Sequence, residues 1–314
     1  APEAGWDVVV ICRLCGGVDR TILPYRYCWQ KNEYRLSRCR ICSLISVDPL
    51  PDAAQIASFY DQDYFENGLH GLDDVGMSYL ERTAANSAHT LRFVEESILA
   101  HKRDASSLFE IGAATGHLLD CAKKAGLERV SGIEISDHAA AVASNRYGID
   151  LHVGDVGTFD TDPHAGRWDI VYAGDVLEHV PDPAGLLEVI ATILAPDGVA
   201  VVRIPTTFDL LSSRIATVAL NLSGRVLTLP DAPYHLHEFT RRTAQRLFED
   251  RFGDVRLMSG IVPVGSLNTK GGRALYRIKQ AVHILNVPLT GWTGRFGDRL
   301  TVIARKPRVR GLRL

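Results

Sequence analysis

The sequence has no apolar run near the roughly 18 residues a membrane-crossing helix needs. Its apolar runs, such as Val199–Val202, are strand-sized. It has no excess of either charge: 35 Lys and Arg face 37 Asp and Glu, a net charge of −2. A partner held by many phosphate contacts, such as nucleic acid, is therefore disfavoured. Internal repeats and low-complexity tracts are missing. With 46% hydrophobic and 23% charged residues, wholesale disorder is excluded. The first seven residues, Ala1-Pro-Glu-Ala-Gly-Trp-Asp7, lack the basic and apolar regions of a secretory leader, so a cytoplasmic location is expected.

Cysteine is nearly absent from most of the chain. Five of the six cysteines, Cys12, Cys15, Cys28, Cys39 and Cys42, fall in the first 42 residues, and Cys121 stands alone. Clustering of this kind in an intracellular chain reads as metal binding sooner than as disulfides. Cys12-x2-Cys15 and Cys39-x2-Cys42 are two knuckles whose four thiolates suit tetrahedral zinc. A closed thiolate shell leaves no open position, so such a zinc is structural. Cys28 and Cys121 are left over as bystanders.

The length of 314 residues suggests about two domains. The pattern divides it into a module at 1–50, a helical connector at 51–104 with Asp52 as helix cap, and a large unit at 105–314. From residue 105 short apolar runs alternate with helical segments. The runs are Ser107–Ile111, Val130–Ile135, Leu151–Val153, Trp168–Tyr172 and Val199–Ile204. Strand–helix alternation argues for an α/β fold with a parallel sheet covered on both faces. Segments 206–234 and 260–298 interrupt it and are candidate insertions over an active site. Within the first, the apolar stretch Phe208–Leu229 reads as a lid, a carrier-binding surface or a buried helical excursion.

The first strand of this unit runs into Ile111-Gly-Ala-Ala-Thr-Gly116, a glycine turn before a helix. Glycines at such turns let backbone approach an anionic ligand, and helix N–H groups face it. Glu134, 22 residues after Gly112, closes the next strand where an acid suits a ribose diol. The glycine spacing differs from a dinucleotide fingerprint, because Ala114 stands where a middle glycine would be.

Phe109-Glu-Ile-Gly-Ala-Ala-Thr-Gly116, Gly132-Ile-Glu134, Gly154-Asp155 and Trp168-Asp-Ile-Val-Tyr-Ala-Gly-Asp-Val-Leu-Glu-His-Val180 resemble, in order and spacing, the motifs of class I S-adenosylmethionine-dependent methyltransferases. The resemblance implies a seven-stranded Rossmann-like sheet in order 3-2-1-4-5-7-6, its last strand antiparallel. It implies S-adenosylmethionine as cofactor. Glu110, Gly112, Ala114 and Gly116 would hold the methionine part. Glu134, with Ile135 beside it, would take the ribose, and Asp155 and Val156 the adenine. Ala173 to Asp175 would lie near the sulfonium. The cysteine knuckles and Phe59-Tyr-Asp-Gln-Asp-Tyr-Phe65 are similar to a subgroup with an N-terminal zinc domain, best known from deoxysugar C-methyltransferases. The additional C-terminal domain of those enzymes has no counterpart here, so O-methylation is favoured over C-methylation. The acceptor would be a sugar, a sugar-containing natural product or a glycan precursor.

Transfer to a hydroxyl requires removal of a proton, a task suited to histidine. Tyr234-His-Leu-His-Glu-Phe-Thr240 is similar to the Tyr-His-Glu-His segment of the sugar enzymes, which makes His237 the first candidate for general base, with Tyr234 beside it. His179, after the fourth strand, is the second, and His235 is the weakest. Tyr60, Tyr64 and Tyr79 are packing residues that could reach the pocket. Two other function classes remain. An NAD-type oxidoreductase shares the sheet and the acid but not the glycine spacing. A zinc-ribbon nucleic-acid module would need a basic face, and residues 1–50 hold only seven Lys and Arg against five acids. A homodimer stays open.

Overall fold

The description rests on a computed structural model and covers residues 11–29, 32–59, 86–229, 232–261, 284 and 286–308. Two β-sheets organise it. The first begins with β1 (Arg20–Trp29), β2 (Asn32–Cys39) and β3 (Ile45–Asp48), an antiparallel meander. Its inward residues, Leu23, Tyr25, Tyr27, Tyr34, Leu36, Ile45 and Val47, form one small core. After β3, Asp52 caps helix α1 (Ala53–Ser58): its Oδ1 accepts from Gln55 N at 2.8 Å, and Gln55 Oε1 accepts from Asp52 N at 2.9 Å. This reciprocal pairing is a capping box. Helix α2 (Ser87–Phe93) runs on through a wide turn at Val94–Ile98 whose ends, Val94 and Ile98, are fully buried.

The second sheet starts with β4 (Ser107–Ile111) and continues through α3 (His117–Lys124), β5 (Arg129–Glu134), α4 (Asp137–Tyr147), β6 (His152–Val153), β7 (Trp168–Gly174), α5 (Pro183–Ile193) and β8 (Leu194–Pro205). Neighbouring strands in this set are parallel. Alternate side chains feed opposite cores: Val171 and Ala173 of β7 enter one, Ile170 and Tyr172 the other. This two-sided burial is why the strands read as continuous apolar runs. Helix α5 passes straight into β8. Pro196 disfavours helical backbone at Ala195, and Leu194 is already extended.

Beyond β8 the chain leaves the sheet. Helix α6 (Leu211–Ser223) lies on the first sheet, where Thr217 Oγ1 meets Tyr25 Oη at 2.9 Å. It is not the buried excursion allowed by the sequence: α6 has no buried residue, and Leu211, Ile215, Val218 and Leu222 are exposed. Strands β9 (Leu227–Leu229) and β10 (His237–Glu238) then join the first sheet, β9 parallel to β1 and β10 antiparallel to β3, giving the order β10-β3-β2-β1-β9. That sheet therefore draws on residues far beyond 50. Helix α7 (Arg241–Glu249), β11 (Phe252–Gly260) and β12 (Arg299–Pro307) complete the second sheet in the order β11-β12-β8-β7-β4-β5-β6. Numbered within the sheet, this is 3-2-1-4-5-7-6, with β12 antiparallel to both neighbours, as the resemblance implied. Most of the second suggested insertion, 260–298, lies outside the described residues, as do Tyr60, Tyr64 and Tyr79.

Candidate functional site

Open parallel sheets bind ligands beyond the carboxyl ends of their strands, where loops diverge. Here a cavity of about 310 Å³ opens beyond β4, β5 and β7. Its wall contains Gly112, Ala114, Glu134, Ile135, Asp155, Val156, Asp175 and His179. The loop after β4 needs its glycines. Gly112 has φ +70°, and an added Cβ would lie 2.5 Å from Val176 Cγ2. Gly116 has φ +74° and sits against Ala143, which a Cβ would approach to 2.8 Å. Ala114 takes φ +46° and keeps a side chain in the left-handed region.

Glu134 ties this loop to the next one. Its Oε2 accepts from Ala114 N at 2.8 Å and its Oε1 from Ser136 N at 3.0 Å. Burial pushes its pKa up, and these backbone donors pull the other way. Asp155 accepts from Gly157 N at 2.7 Å and so fixes the turn after β6. Asp175, at φ +57°, pairs with Arg299 and donates its backbone N–H to Arg203 O.

Three residues assigned to the cofactor do not reach the cavity wall: Gly116, which packs on Ala143, Ala173 and Glu110. Ala173 is fully buried in the core below it, and the wall begins one residue later at Gly174. Glu110 lies behind the loop on the opposite face of β4 from Phe109 and Ile111. It is buried, its Oε2 is without a hydrogen-bond partner, and burial followed by the Glu134 charge drives its pKa well up.

The histidines are the main correction. His237, the first candidate for base, is fully buried and absent from the cavity wall. On β10 it bridges the first sheet to the second: its Nδ1 faces Ser46 Oγ at 3.0 Å and its Nε2 donates to Pro181 O at 3.4 Å. Burial lowers its pKa to about 4. Its backbone N–H also donates to Glu178 O. Tyr234 contributes its carbonyl, which accepts from His179 Nδ1 at 2.8 Å, while its ring meets Phe59 at 5.5 Å. His235, the weakest candidate, stands with His179, ring to ring at 5.0 Å. The chain turns before β10 and folds His235 back onto Glu238 at 3.1 Å. Burial drives the pKa of His179 down to about 3. That of His235 rises to about 9, since Glu238, Glu178 and Asp175 outweigh its burial.

Glu178 belongs to this group and was not singled out in the sequence, although it adjoins His179. Its carboxylate is buried, and neither oxygen has a hydrogen-bond partner. Ile56 of α1 also lines the cavity. No local signal marks it, because it is separated from every cofactor motif in sequence.

Below β1 the four knuckle thiols converge. Cys12 Sγ lies 3.4 Å from Cys42 Sγ, and Cys15 Sγ 3.5 Å from Cys39 Sγ; all four lie within 4.8 Å of one another. None is in a disulfide. A tetrahedral zinc with bonds of about 2.3 Å needs sulfur–sulfur edges of about 3.8 Å, so the donor set fits. The Cys42 thiol, by hydrogen bonding, draws the Cys12 pKa down to about 4. Cys28 is exposed, and Cys121 is buried against α2.

A family described as a methyltransferase domain matches residues 79–252, more than half of the chain. A ubiquinone biosynthesis O-methyltransferase of Aromatoleum aromaticum is 30% identical over 135 residues, covering 41% of this chain and 50% of that protein. The enzyme of the same name from Actinobacillus pleuropneumoniae is 27% identical over 142 residues, 43% of this chain and 58% of its own. The chain thus spans about half the length of the curated relatives it matches. A solved SAM-dependent methyltransferase from Archaeoglobus fulgidus is 15% identical with a TM-score of 0.43, covering 71% of this chain and 94% of its own.

Proposed function

This chain belongs to the methyltransferase domain family, and we propose from that premise that it moves the methyl group of S-adenosylmethionine to an oxygen of a small molecule. The observation that carries the proposal is the joint placement of Gly112, Ala114, Glu134 and Asp155 around one cavity. A carboxylate has about four acceptor positions. Glu134 uses one on each oxygen for the loops and keeps others for the two ribose hydroxyls. Gly112 and Ala114 offer bare backbone to the methionine part, and Glu110 supports the loop from behind. Asp155 and Val156 receive the adenine. Gly174 and Asp175 flank the sulfonium, in place of Ala173.

The cofactor supplies the electrophilic carbon. The chain's task is to align the acceptor and draw off its proton. We assign that task to the group at the cavity wall that contains His179, with Glu178 and His235 behind it, and not to His237. Transfer to oxygen draws support from the names of the curated relatives, which are O-methyltransferases. The choice of a sugar or sugar-bearing acceptor rests on the resemblance of the cysteine module alone. C-methylation of a sugar is the weaker reading: the acid between the two histidines of that resemblance is Leu236 here, buried in an apolar cluster. Cys12, Cys15, Cys39 and Cys42 would hold a structural zinc that clamps the loops beside β1 and β2.

Isothermal titration of the zinc-loaded chain with S-adenosylmethionine and S-adenosylhomocysteine tests the reading. One site per chain is expected. A folded protein that binds neither overturns it.

A further inference from the structure

Glu178, His179 and His235 are three side chains from two separate segments, and their ligand atoms lie within 4.8 Å of one another. Each histidine is oriented by its Nδ1. His179 Nδ1 donates to Tyr234 O at 2.8 Å, and His235 Nδ1 donates to Glu238 Oε1 at 3.1 Å. In a neutral ring that arrangement places the lone pair on Nε2. The Nε2 of His179 points at Glu178 Oε1 from 3.6 Å, beyond hydrogen-bond range. Neither Glu178 oxygen is hydrogen-bonded. A buried carboxylate left this way is costly unless positive charge compensates it, from a bound cation or from a protonated His235.

The separation suits an ion. Two ligands on one tetrahedral cation, each bonded at about 2.1 Å, stand about 3.4 Å apart. The outer partners also follow the pattern of metal sites, where a ligating imidazole gives its other N–H to a carboxylate or a backbone carbonyl. Glu178 is itself placed by its main chain, whose carbonyl accepts from His237 N at 3.0 Å.

We propose that Glu178, His179 and His235 form a second metal site, separate from the four cysteines, for a divalent first-row transition cation. Two imidazoles and one carboxylate favour that class over magnesium or calcium, which prefer all-oxygen shells. Three protein ligands leave a coordination position open, and His179 brings the site to the cavity wall. An acceptor hydroxyl entering that position would lose its proton more readily. The use of the ion therefore rests on the methyl-transfer reading, while its binding does not.

The test titrates full-length protein, carrying one zinc per chain, with Mn²⁺ alone. Free Mn²⁺ is followed by electron paramagnetic resonance, and S-adenosylhomocysteine binding is measured in parallel. One Mn²⁺ per chain is expected. His235→Ala should weaken it at least tenfold, and Glu238→Gln about tenfold through the outer hydrogen bond. Glu238→Gln keeps the side chain's shape and removes only the charge behind that bond, so it decides the matter should His235→Ala fail to fold. Wild-type protein that binds S-adenosylhomocysteine but no Mn²⁺ overturns the site and leaves the methyltransferase reading standing; His235 then meets Glu178 as a protonated ring. Equal Mn²⁺ affinity in wild type and both variants also overturns it, since the ion would sit elsewhere.

Discussion

At the scale of single residues, Gly112 is the sharpest test of the cofactor cavity. Gly112→Ala places a Cβ 2.5 Å from Val176 Cγ2 on backbone at φ +70°. The left-handed conformation alone costs a side chain about 1–2 kcal/mol. S-adenosylhomocysteine affinity should fall at least tenfold by titration calorimetry, with the circular dichroism spectrum unchanged. His237 makes a pH prediction. Its pKa in the fold, about 4, lies below its ordinary 6.5. Stability from keeping this ring neutral is thus complete above pH 6.5 and is lost as pH falls toward 4, by up to about 1.4 kcal/mol per pH unit. Urea unfolding should show wild type losing stability through that window more steeply than His237→Asn. Identical slopes would contradict the buried, neutral assignment. These two residues also show what single-sequence reading can and cannot see. Gly112 was legible because a turn chemistry marks it locally. The role of His237 was not, because its partners Ser46 and Pro181 are 191 and 56 positions away.

At the scale of elements, α7 offers a contained measurement. Thr240 Oγ1 accepts from Thr243 N at 3.3 Å, and Thr243 Oγ1 accepts from Thr240 N at 2.9 Å. Thr240→Ala should lower unfolding free energy by about 1 kcal/mol. Thr240 stands directly before an amphipathic run, the place where a helix cap is expected. Five of the seven strands of the second sheet were recognisable too, as short apolar runs from Ser107 to Ile204. β9 and β10 were not: three-residue and two-residue strands carry too little pattern, and their pairing with β1 and β3 is decided by tertiary contact. The cysteine knuckles are the element-scale counterpart of the caps. Cys39→Ser should abolish stoichiometric zinc, read by elemental mass spectrometry, and loosen β1–β3 in hydrogen exchange before the second sheet.

At the scale of the whole molecule, the second sheet holds most of the apolar interior. Phe109 is fully buried and touches Trp168 at 5.1 Å and Phe159 at 5.6 Å. Phe109→Ala should remove about 3–5 kcal/mol in urea unfolding. The first sheet poses a different problem, one of timing. Arg26 on β1 and Thr228 on β9 lie side by side although 202 residues separate them. At about 5–20 residues per second, a ribosome needs roughly 10–40 seconds to bridge that distance. β1, β2 and β3 therefore emerge early and wait with both edges of their sheet open. All four knuckle cysteines precede β9, so the thiols can converge while the chain is still growing. The molecule begins its first sheet before any strand of the second and finishes it only after five strands of the cofactor fold have been made.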